Sequence, residues 1–431
     1  MNIEELYKIY LKHFNIQTDS RKVVGGDIFF ALKGPNFNGN LFAEQALAAG
    51  AAFVVADEET HVQDYRILQV TNVLKSLQDL AKHHREQFAA GESGGIPFIA
   101  ITGSNGKTTT KELIHEVLSS TYITYTTKGN LNNHIGIPLS ILRIKKDAQF
   151  AVIEMGANHL HEIAGYCDYV KPSYGLITNC GKAHLEGFGS LENVRKGKGE
   201  LYDHVRRSKG AVFVNCDDKV LLHMAEGMDK VITYGSQDAF VTGRVIGSGT
   251  LLSTEIFGDE STIINTQLVG AYNLPNILAA VTVGKHFNVP MNKIKSALEN
   301  YMPSNSRSQL IKVGSNTIIM DAYNANPGSM RVAIENLATL NTPDKVLLLG
   351  SMMELGDESE AEHAAIVALI DKHKWKDVVL VGDGFKLLRH KYISFANSTQ
   401  AAGWLTDQRY EHVTMLVKGS RTTAMEKVLS I

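Results

Sequence analysis

Short apolar runs alternate with stretches of helical period along most of the chain. Five such runs are Phe53-Val54-Val55-Ala56, Phe98-Ile99-Ala100-Ile101, Phe150-Ala151-Val152-Ile153, Gly175-Leu176-Ile177-Thr178 and Val346-Leu347-Leu348-Leu349. Strands alternating with helices predict parallel sheets and an α/β fold. One stretch departs from this rhythm. Between about Phe240 and Leu268, Gly-rich turns separate three short strand-like segments, which predicts an antiparallel accessory sheet. Two polar connectors interrupt the pattern, Gly91-Glu92-Ser93-Gly94-Gly95 and Tyr301-Met302-Pro303-Ser304-Asn305-Ser306, the second after a helical segment ending at Asn300. They predict three domains, at 1–92, 93–303 and 304–431. No repeat of fixed period and no low-complexity tract is present.

Composition narrows the class. A chain of 431 residues can bury more than one core, and 44% hydrophobic with 20% charged residues describes a folded protein, not a disordered one. Lys and Arg total 43 against 45 Asp and Glu, a net charge of -2. That balance argues against a general nucleic-acid binder or a membrane-surface protein, while leaving room for a local basic site. Cys167, Cys180 and Cys216 form no CxxC pair, so neither a disulfide framework nor a zinc module fits them. They read as reduced thiols. The first residues, MNIEELYKIYLKHF, have acids where a secretory signal is basic, and no apolar run approaches a membrane span. A cytoplasmic monomer is expected.

The sharpest local chemistry is Thr102-Gly103-Ser104-Asn105-Gly106-Lys107-Thr108-Thr109. A buried strand precedes it, and a helix is predicted from Thr110 to about Ser119. Glycines let backbone N–H groups close around a phosphate, the helix start adds its positive dipole, and Lys107 supplies a point charge. Thr108 would offer a hydroxyl to Mg²⁺. The spacing departs from GxxxxGK[ST], because Ile101 stands where the first glycine belongs. A plain Gly-rich turn at a helix start is the alternative. Glu154 closes the run Phe150–Ile153, where a carboxylate would meet the ligand-binding edge of a parallel sheet. His184 falls just beyond another strand end, as a metal ligand or an ordinary hydrogen-bonding histidine.

Taken together, these segments resemble the ATP-dependent Mur ligases of peptidoglycan synthesis. The resemblance rests on Thr102–Thr109, Lys128-Gly129-Asn130-Leu131-Asn132-Asn133-His134-Ile135-Gly136-Ile137-Pro138, Glu154-Met155-Gly156 and His184-Leu185-Glu186, in order over nearly the whole chain. Gly270-Ala271-Tyr272-Asn273-Leu274-Pro275-Asn276 resembles the family's GxHNxxN, with Tyr272 in place of the His. The implied fold is α/β with three domains: an N-terminal UDP-substrate domain, a central phosphate-loop NTPase-like parallel sheet with an accessory antiparallel sheet, and a C-terminal Rossmann-like domain. ATP and Mg²⁺ are the implied cofactors. Asn273 and Asn276 are implied near adenine, and Arg307 and Asp321 over the phosphates and ribose. Asn130, Asn132 and Asn133 are implied substrate contacts, as are Ser20 and Arg21 of Thr18-Asp19-Ser20-Arg21. Gly34-Pro35-Asn36-Phe37-Asn38-Gly39-Asn40 resembles a second uridine-nucleotide segment, with Asn38 and Asn40 where the family usually has Asp and His.

Within the family, Asp321-Ala322-Tyr323-Asn324-Ala325-Asn326-Pro327, Leu349-Gly350-Ser351-Met352-Met353-Glu354-Leu355-Gly356 with His363, and Lys418-Gly419-Ser420-Arg421 are similar to the branch that adds D-alanyl-D-alanine to UDP-N-acetylmuramoyl-tripeptide. Asn324 and Asn326 are its implied substrate contacts. The DNPR motif of the diaminopimelate-adding branch is missing. The resemblance implies an acyl phosphate made from ATP and the tripeptide carboxylate, then attack by the dipeptide amine. Lys107 would serve the phosphates, with Mg²⁺ held by Thr108 and Glu154. A second Mg²⁺ would take His184 and a carbamylated Lys198 as ligands; Lys196 and Lys198 could also be solvated charges. Another Mur ligase, a folylpolyglutamate synthase-like ligase, a phosphate-loop kinase and a non-catalytic nucleotide sensor are the competing readings. Neither nucleic acid nor membrane is expected as a partner.

Overall fold

The computed structural model describes residues 1–59, 64–89, 95–258, 260–304 and 306–429, so positions 91–94 of the first connector and Asn305 of the second lie outside the described residues. The chain forms two compact units, one of Met1–Ala100, Tyr122–Ala157 and His161–Gly175, the other of Ile101–Thr121, Asn158–Leu160 and Leu176–Ile431. The boundary cuts across the strands Phe98–Thr102 and Tyr174–Ile177.

In the first unit the chain opens with β1 (Ile16–Gln17), β2 (Ile28–Phe30), the short antiparallel pair β3 (Lys33–Gly34) and β4 (Phe37–Asn38), β5 (Phe53–Ala56) and β6 (Ile67–Gln69). β1-β2-β5-β6 is a parallel sheet, with Ile28 beside Phe53 and Val54 beside Ile67. Its core sets Phe29, Ala31, Val54 and Ala56 against Ala43, Ala46 and Leu47 of the helix Ala43–Ala48. Asn72 caps the helix Val73–Glu86, its side chain accepting the Lys75 N–H at 2.8 Å. On that helix His84 is buried between two partners. Its Nε2–H donates to the Ile144 carbonyl at 2.8 Å, and Nδ1 accepts from the Tyr7 hydroxyl at 3.0 Å. Burial holds its pKa below the usual histidine value. The same unit holds the first part of β7 (Phe98–Thr102), β8 (Thr124–Thr126), β9 (Phe150–Glu154) and the start of β10 (Tyr174–Ile177), in the order β10-β7-β9-β8.

The second unit continues the β7-β10 neighbours with β11 (Ala211–Asn215), β12 (Val231–Gly235), β13 (Val241–Ile246), β14 (Leu251–Ile256) and β15 (Thr262–Val269), in chain order. β11 and β12 are parallel, whereas β13, β14 and β15 pair antiparallel. This is the accessory sheet that the Gly-rich turns predicted. The second part of the unit has β16 (Gln309–Val313), β17 (Asn316–Asp321), β18 (Asp344–Gly350), β19 (Asp377–Val381), β20 (Ile393–Phe395) and β21 (Val413–Lys418), in the order β16-β17-β21-β18-β19-β20. All pair parallel except the edge strand β16. Ile318, Met320, Val346, Leu348, Val379, Val381, Met415 and Val417 make its core. Parallel pairing sends β17, β18 and β21 to one edge, where Asp321, Gly350 and Lys418 end side by side. Among the described residues no helix is long and apolar enough to cross a membrane.

Two helices of this unit meet through a glycine. Gly284 of Leu274–His286 lies so close to Val117 of Lys107–Ser119 that an added Cβ would sit 2.6 Å from Val117 Cγ1 and 2.8 Å from Ile294 Cδ1. A glycine in a helix interior normally costs about 1 kcal/mol against alanine. Here the close approach outweighs that cost. Gly284→Val should therefore destabilise the protein by about 1–3 kcal/mol through overpacking. A urea unfolding midpoint equal to the parent's would refute the close contact.

Candidate nucleotide site

The phosphate-loop segment leaves β7 at Thr102 and enters a helix at Lys107, three residues earlier than the apolar period suggests. Gly106 is the reason. It takes φ 81°, which turns the chain directly into the helix. Gly103 takes φ 140°, and a Cβ there would meet Thr178 Oγ1 at 2.0 Å. Only glycine fits. The loop is braced by the segment that follows β10. Thr178 N–H donates to Thr102 O at 2.9 Å, Ser104 N–H to Asn179 O at 2.9 Å, and Asn105 N–H to Asn179 Oδ1 at 3.0 Å. The Asn105 carbonyl accepts the Thr178 hydroxyl at 2.6 Å and the Asn179 amide at 3.0 Å. The Ser104 hydroxyl donates to Gly181 O at 2.8 Å. Lys107 arches back over the loop, its ammonium donating to Gly103 O at 2.6 Å and Ser104 O at 3.1 Å. Thr108 is buried and Thr109 half-buried on the first helical turn.

Asn273 and Asn276 stand beneath this loop. The Thr110 hydroxyl donates to Asn276 Oδ1 at 3.0 Å, the Asn276 amide to Asn273 Oδ1 at 2.8 Å, and the Asn273 amide to Val269 O at 2.8 Å. Asn276 Oδ1 also lies 2.8 Å from where a Gly106 Cβ would be. Both asparagines are buried, and Asn273 precedes the helix Leu274–His286 instead of sharing a face with Asn276 along it. Their observed work is to shape the loop. Tyr272, at the family's usual histidine position, has its hydroxyl 3.1 Å from Ser308 Oγ, and Ser308 N–H donates to Asp321 Oδ1 at 3.1 Å. Burial, then the Asp321 charge, pushes the Tyr272 phenol pKa up. Buried Lys418 pairs with Asp321 Oδ2 at 2.5 Å and donates to the Asn324 carbonyl at 3.3 Å. The Arg307 guanidinium lies 3.5 Å from the centre of the Tyr323 ring. Asn326 caps the helix Pro327–Thr339, and its amide donates to Asn105 Oδ1 at 2.8 Å. A predicted substrate contact thus touches the phosphate loop itself.

His184 takes a left-handed conformation, φ 52°, and its Nδ1 pairs with Glu354 Oε2 at 2.5 Å; Glu354 is also left-handed, φ 63°. Glu186 N–H donates to Glu354 O at 3.1 Å, and Lys182 pairs with Glu358 at 3.2 Å and Glu362 at 2.6 Å. The hydrogen bond from His184 holds the Glu354 carboxyl below the usual range, with Lys107 adding a smaller pull. His363 supports the Glu354 loop from inside. Its Nε2 accepts Met352 N–H at 3.0 Å and Nδ1–H donates to Ser359 O at 2.7 Å, so the ring is bound in its neutral form. Lys198 is wholly buried on Leu191–Arg207, with its ammonium 5.1 Å from the Phe188 ring centre. Lys196, by contrast, forms an exposed pair with Glu192 at 2.8 Å. Burial pushes the Cys180 thiol up to about 12, so it is unreactive. Among the described residues no three His, Cys, Asp or Glu side chains gather as a metal cluster.

The first unit carries the remaining predicted residues. Glu154 is buried at the end of β9, where its Oε1 accepts the Asn132 amide at 2.7 Å and its N–H donates to Thr127 Oγ1 at 3.0 Å. Asn133 Oδ1 accepts Gly136 N–H at 2.8 Å, and the Asn130 carbonyl accepts Asn132 N–H at 2.8 Å. Ser20 and Arg21 begin a single 3-10 turn capped by Asp19. Arg21 forks onto Asp19 at 2.8 and 2.9 Å, which lowers the Asp19 pKa to about 2. Asn38 and Asn40 join Asp57 and Glu58 in one network, through Asn40–Asp57 at 2.9 Å and Asn38–Glu58 at 2.7 Å.

Sequence reasoning missed Thr178, Asn179, Glu354 and Lys418 as contributors. The last two lie in segments that resembled the family, but no spacing rule assigns them a partner. Thr178 and Asn179 carry only the hint of polar residues at a strand's carboxyl end.

Family models match the chain in three blocks: the Mur ligase family catalytic domain over 13–94, the Mur ligase middle domain over 101–284, and the Mur ligase glutamate ligase domain over 306–427. This chain belongs to the Mur ligase family. One relative, UDP-N-acetylmuramoyl-tripeptide–D-alanyl-D-alanine ligase of Escherichia coli K12, is 35% identical over 431 residues, covering 96% of this chain and 92% of its own. A crystal structure of MurF from Acinetobacter baumannii superposes with a TM-score of 0.87 at 30% identity, over 96% of this chain and 92% of that one. MurF from Thermotoga maritima in complex with ADP gives 0.85 at 26% identity, over 97% of each chain. The Mur ligase fold and its order of domains account for the α/β architecture described above.

Two outcomes follow from the site's geometry. Gly103→Ala should abolish ATP binding, because its Cβ cannot coexist with Thr178; a nucleotide Kd within tenfold of the parent's in calorimetry would contradict that. His363 has its pKa lowered by burial, so the folded state resists a proton that the unfolded chain accepts below about 6.5. Stability should fall as pH drops through that value. His84 and His286 act in the same direction. His363→Gln keeps an acceptor for Met352 N–H and should flatten part of the loss in pH-dependent urea curves. An unchanged slope would exclude His363 as a contributor.

Proposed function

We propose that this Mur ligase joins D-alanyl-D-alanine to UDP-N-acetylmuramoyl-tripeptide with ATP, in a cytoplasmic step of peptidoglycan synthesis. The observation that carries this reading is Asn326. It belongs to a segment similar to the dipeptide-adding branch and is hydrogen-bonded to Asn105 of the phosphate loop. The chain would work as three domains, 1–92 for the UDP substrate, 93–303 for ATP and a Rossmann-like 304–431.

The tripeptide's terminal carboxylate attacks the γ-phosphorus of ATP in line, forming an acyl phosphate and ADP. The dipeptide amine then attacks the acyl carbon, loses a proton, and phosphate leaves as the amide forms. Both steps bring anions together, so positioning and charge neutralisation dominate the catalysis. The loop N–H groups of Gly103 to Thr109 would hold the phosphates, and Lys107 would exchange its carbonyl partners for phosphate oxygens. Asn273 and Asn276 would serve ATP by keeping Gly106 and Thr110 in place. Arg307 and Asp321 would approach the phosphates and ribose. Ser20, Arg21, Asn130, Asn132 and Asn133 would contact the nucleotide substrate, and Asn324 and Asn326 the incoming dipeptide.

The donors offered to Mg²⁺ suit it. For one ion they would be a hydroxyl at Thr108 and a carboxylate at Glu154, and for a second the imidazole of His184 and, were Lys198 carbamylated, a carbamate oxygen, mostly hard oxygens. With His184 Nδ1 on Glu354, the ring is oriented by a carboxylate, as metal-binding histidines commonly are. Mg²⁺ there would offset the charge of the phosphates and of the attacking carboxylate.

An amine screen with ATP and the tripeptide nucleotide, reading phosphate release, tests the reading directly. D-alanyl-D-alanine should be the preferred acceptor, and preference for a single amino acid would move the chain to another branch. Lys107→Ala should remove ligation and leave the unfolding midpoint near the parent's. Turnover within tenfold of the parent would take the loop out of the mechanism. Lys198→Ala should be inactive and partly restored by small carboxylates, which can occupy the carbamate's space. Rescue by amines instead would make Lys198 a cation on substrate, and full activity without additive would dismiss it.

A further inference from the structure

The carboxyl edge of the C-terminal sheet gathers charges, and most are already balanced. Lys418 is matched by Asp321 at 2.5 Å, and the Glu354 carboxylate has His184 Nδ1 beside it at 2.5 Å. Two cations are different. The Arg307 guanidinium carbon lies 3.5 Å from the Tyr323 ring centre, and that of Arg421 lies 5.3 Å from the same ring. Among the described residues neither guanidinium forms an ion pair with a carboxylate. An electron-rich ring face attracts each cation, but two like charges sharing one ring still repel. An anion bound between or beside them would relieve that repulsion. The planar fork of arginine is matched to carboxylate and phosphate oxygens.

Arg421 is also held ready by its backbone. It opens a 3-10 turn, Arg421–Thr423, directly after β21. Ser420 N–H donates to Ser351 O at 3.2 Å, and the Thr423 hydroxyl donates to Ser420 O at 2.7 Å. Gly419 lies so close to Gly350 that an added Cβ would be 3.0 Å from the Gly350 Cα. The turn is fixed, while the Arg421 side chain points from an exposed residue.

The choice of anion follows from the chemistry. ATP phosphates go to the cradle at Thr102–Thr109 with Lys107 and, on the ligase reading, to Arg307, so Arg421 is the cation that this reading leaves without an anion. The dipeptide brings one group that reacts, its amine, and one that does not, its terminal carboxylate. That negative charge enters a site where phosphates and an acyl phosphate already repel it. We propose that Arg421, beside Arg307 on the Tyr323 ring, binds the terminal carboxylate of the incoming dipeptide and so selects a dipeptide with a free carboxyl end. The inference rests on the ligase reading above. Arg421 is here a binding residue; it touches no reacting atom.

The test compares D-alanyl-D-alanine with D-alanyl-D-alaninamide, whose end carries no charge, at constant ATP and tripeptide nucleotide. The parent enzyme should show a KM for the amide about 10- to 100-fold above that for the dipeptide, the range expected for a charged hydrogen-bonded contact. Arg421→Ala should raise the dipeptide KM by a similar factor, leave the amide KM nearly unchanged, and move the KM for ATP by less than about twofold. Arg421→Lys, which keeps charge but loses the fork, should fall between. A parent that accepts the amide as well as the dipeptide overturns the proposal without any variant, so a poorly folding variant cannot shelter it. A rise in the KM for ATP alone would assign Arg421 to phosphate. Equal losses for dipeptide and amide would make it structural; both results overturn the inference. Absence of any dipeptide-dependent phosphate release in the parent would be a different result, against the ligase reading itself.

Discussion

Asn105 ties together three parts of the chain that are far apart in sequence. Its N–H and carbonyl are bonded to Asn179 and Thr178 after β10, and its side-chain carbonyl accepts from Asn326 of the C-terminal segment. A Gly-rich loop has much conformational freedom to lose, and phosphate binding needs its N–H groups already aimed. The bonds to Asn105 supply that aim, and Gly103 makes them possible by letting Thr178 approach its Cα. Below the loop, the ladder Thr110–Asn276–Asn273–Val269 fixes the start of the helix in the same way. The phosphate cradle is therefore a property of four segments acting together.

Charge is distributed by a similar logic. Lys418 is buried, and a buried cation without a partner is strongly unfavourable; breaking such a pair commonly costs 3–5 kcal/mol. Asp321 supplies the partner and, through Ser308, reaches Tyr272. A residue implied at the ribose is thus also the keystone of a buried network. Along a second path, Lys182 and His184 reach Glu354, Glu358 and Glu362, so the segment after β10 is joined to the segment after β18 by two ion pairs and the His184–Glu354 contact. His363, kept neutral by burial, holds the backbone of the Glu354 loop from within. Imidazole, carboxylate and ammonium are set by elements that no single motif contains.

Asn273 and Asn276 take their places only in the folded chain. Three residues apart, they would share one face of a helix. A 3-10 turn over Ala271–Asn273 instead rotates Asn273 inward, and both amides are consumed internally. Tyr272 changes the site in a different way, since its hydroxyl can reach Ser308 across the start of the C-terminal part.

By itself, the sequence determined the α/β alternation, the antiparallel insert at β13–β15 and the phosphate loop. These are local: apolar period, turn residues and a glycine beside a lysine act over a few residues. It also carried the family, because several segments in fixed order are specific where any one is not. Only the tertiary structure decided which residues meet. That Glu354 would face His184, that Lys418 would neutralise Asp321, and that Arg307 and Arg421 would share Tyr323 depend on which strand ends lie at the same sheet edge. Parallel pairing of β17, β21 and β18 sets that edge, across about a hundred residues of chain, and a motif records nothing of such distances.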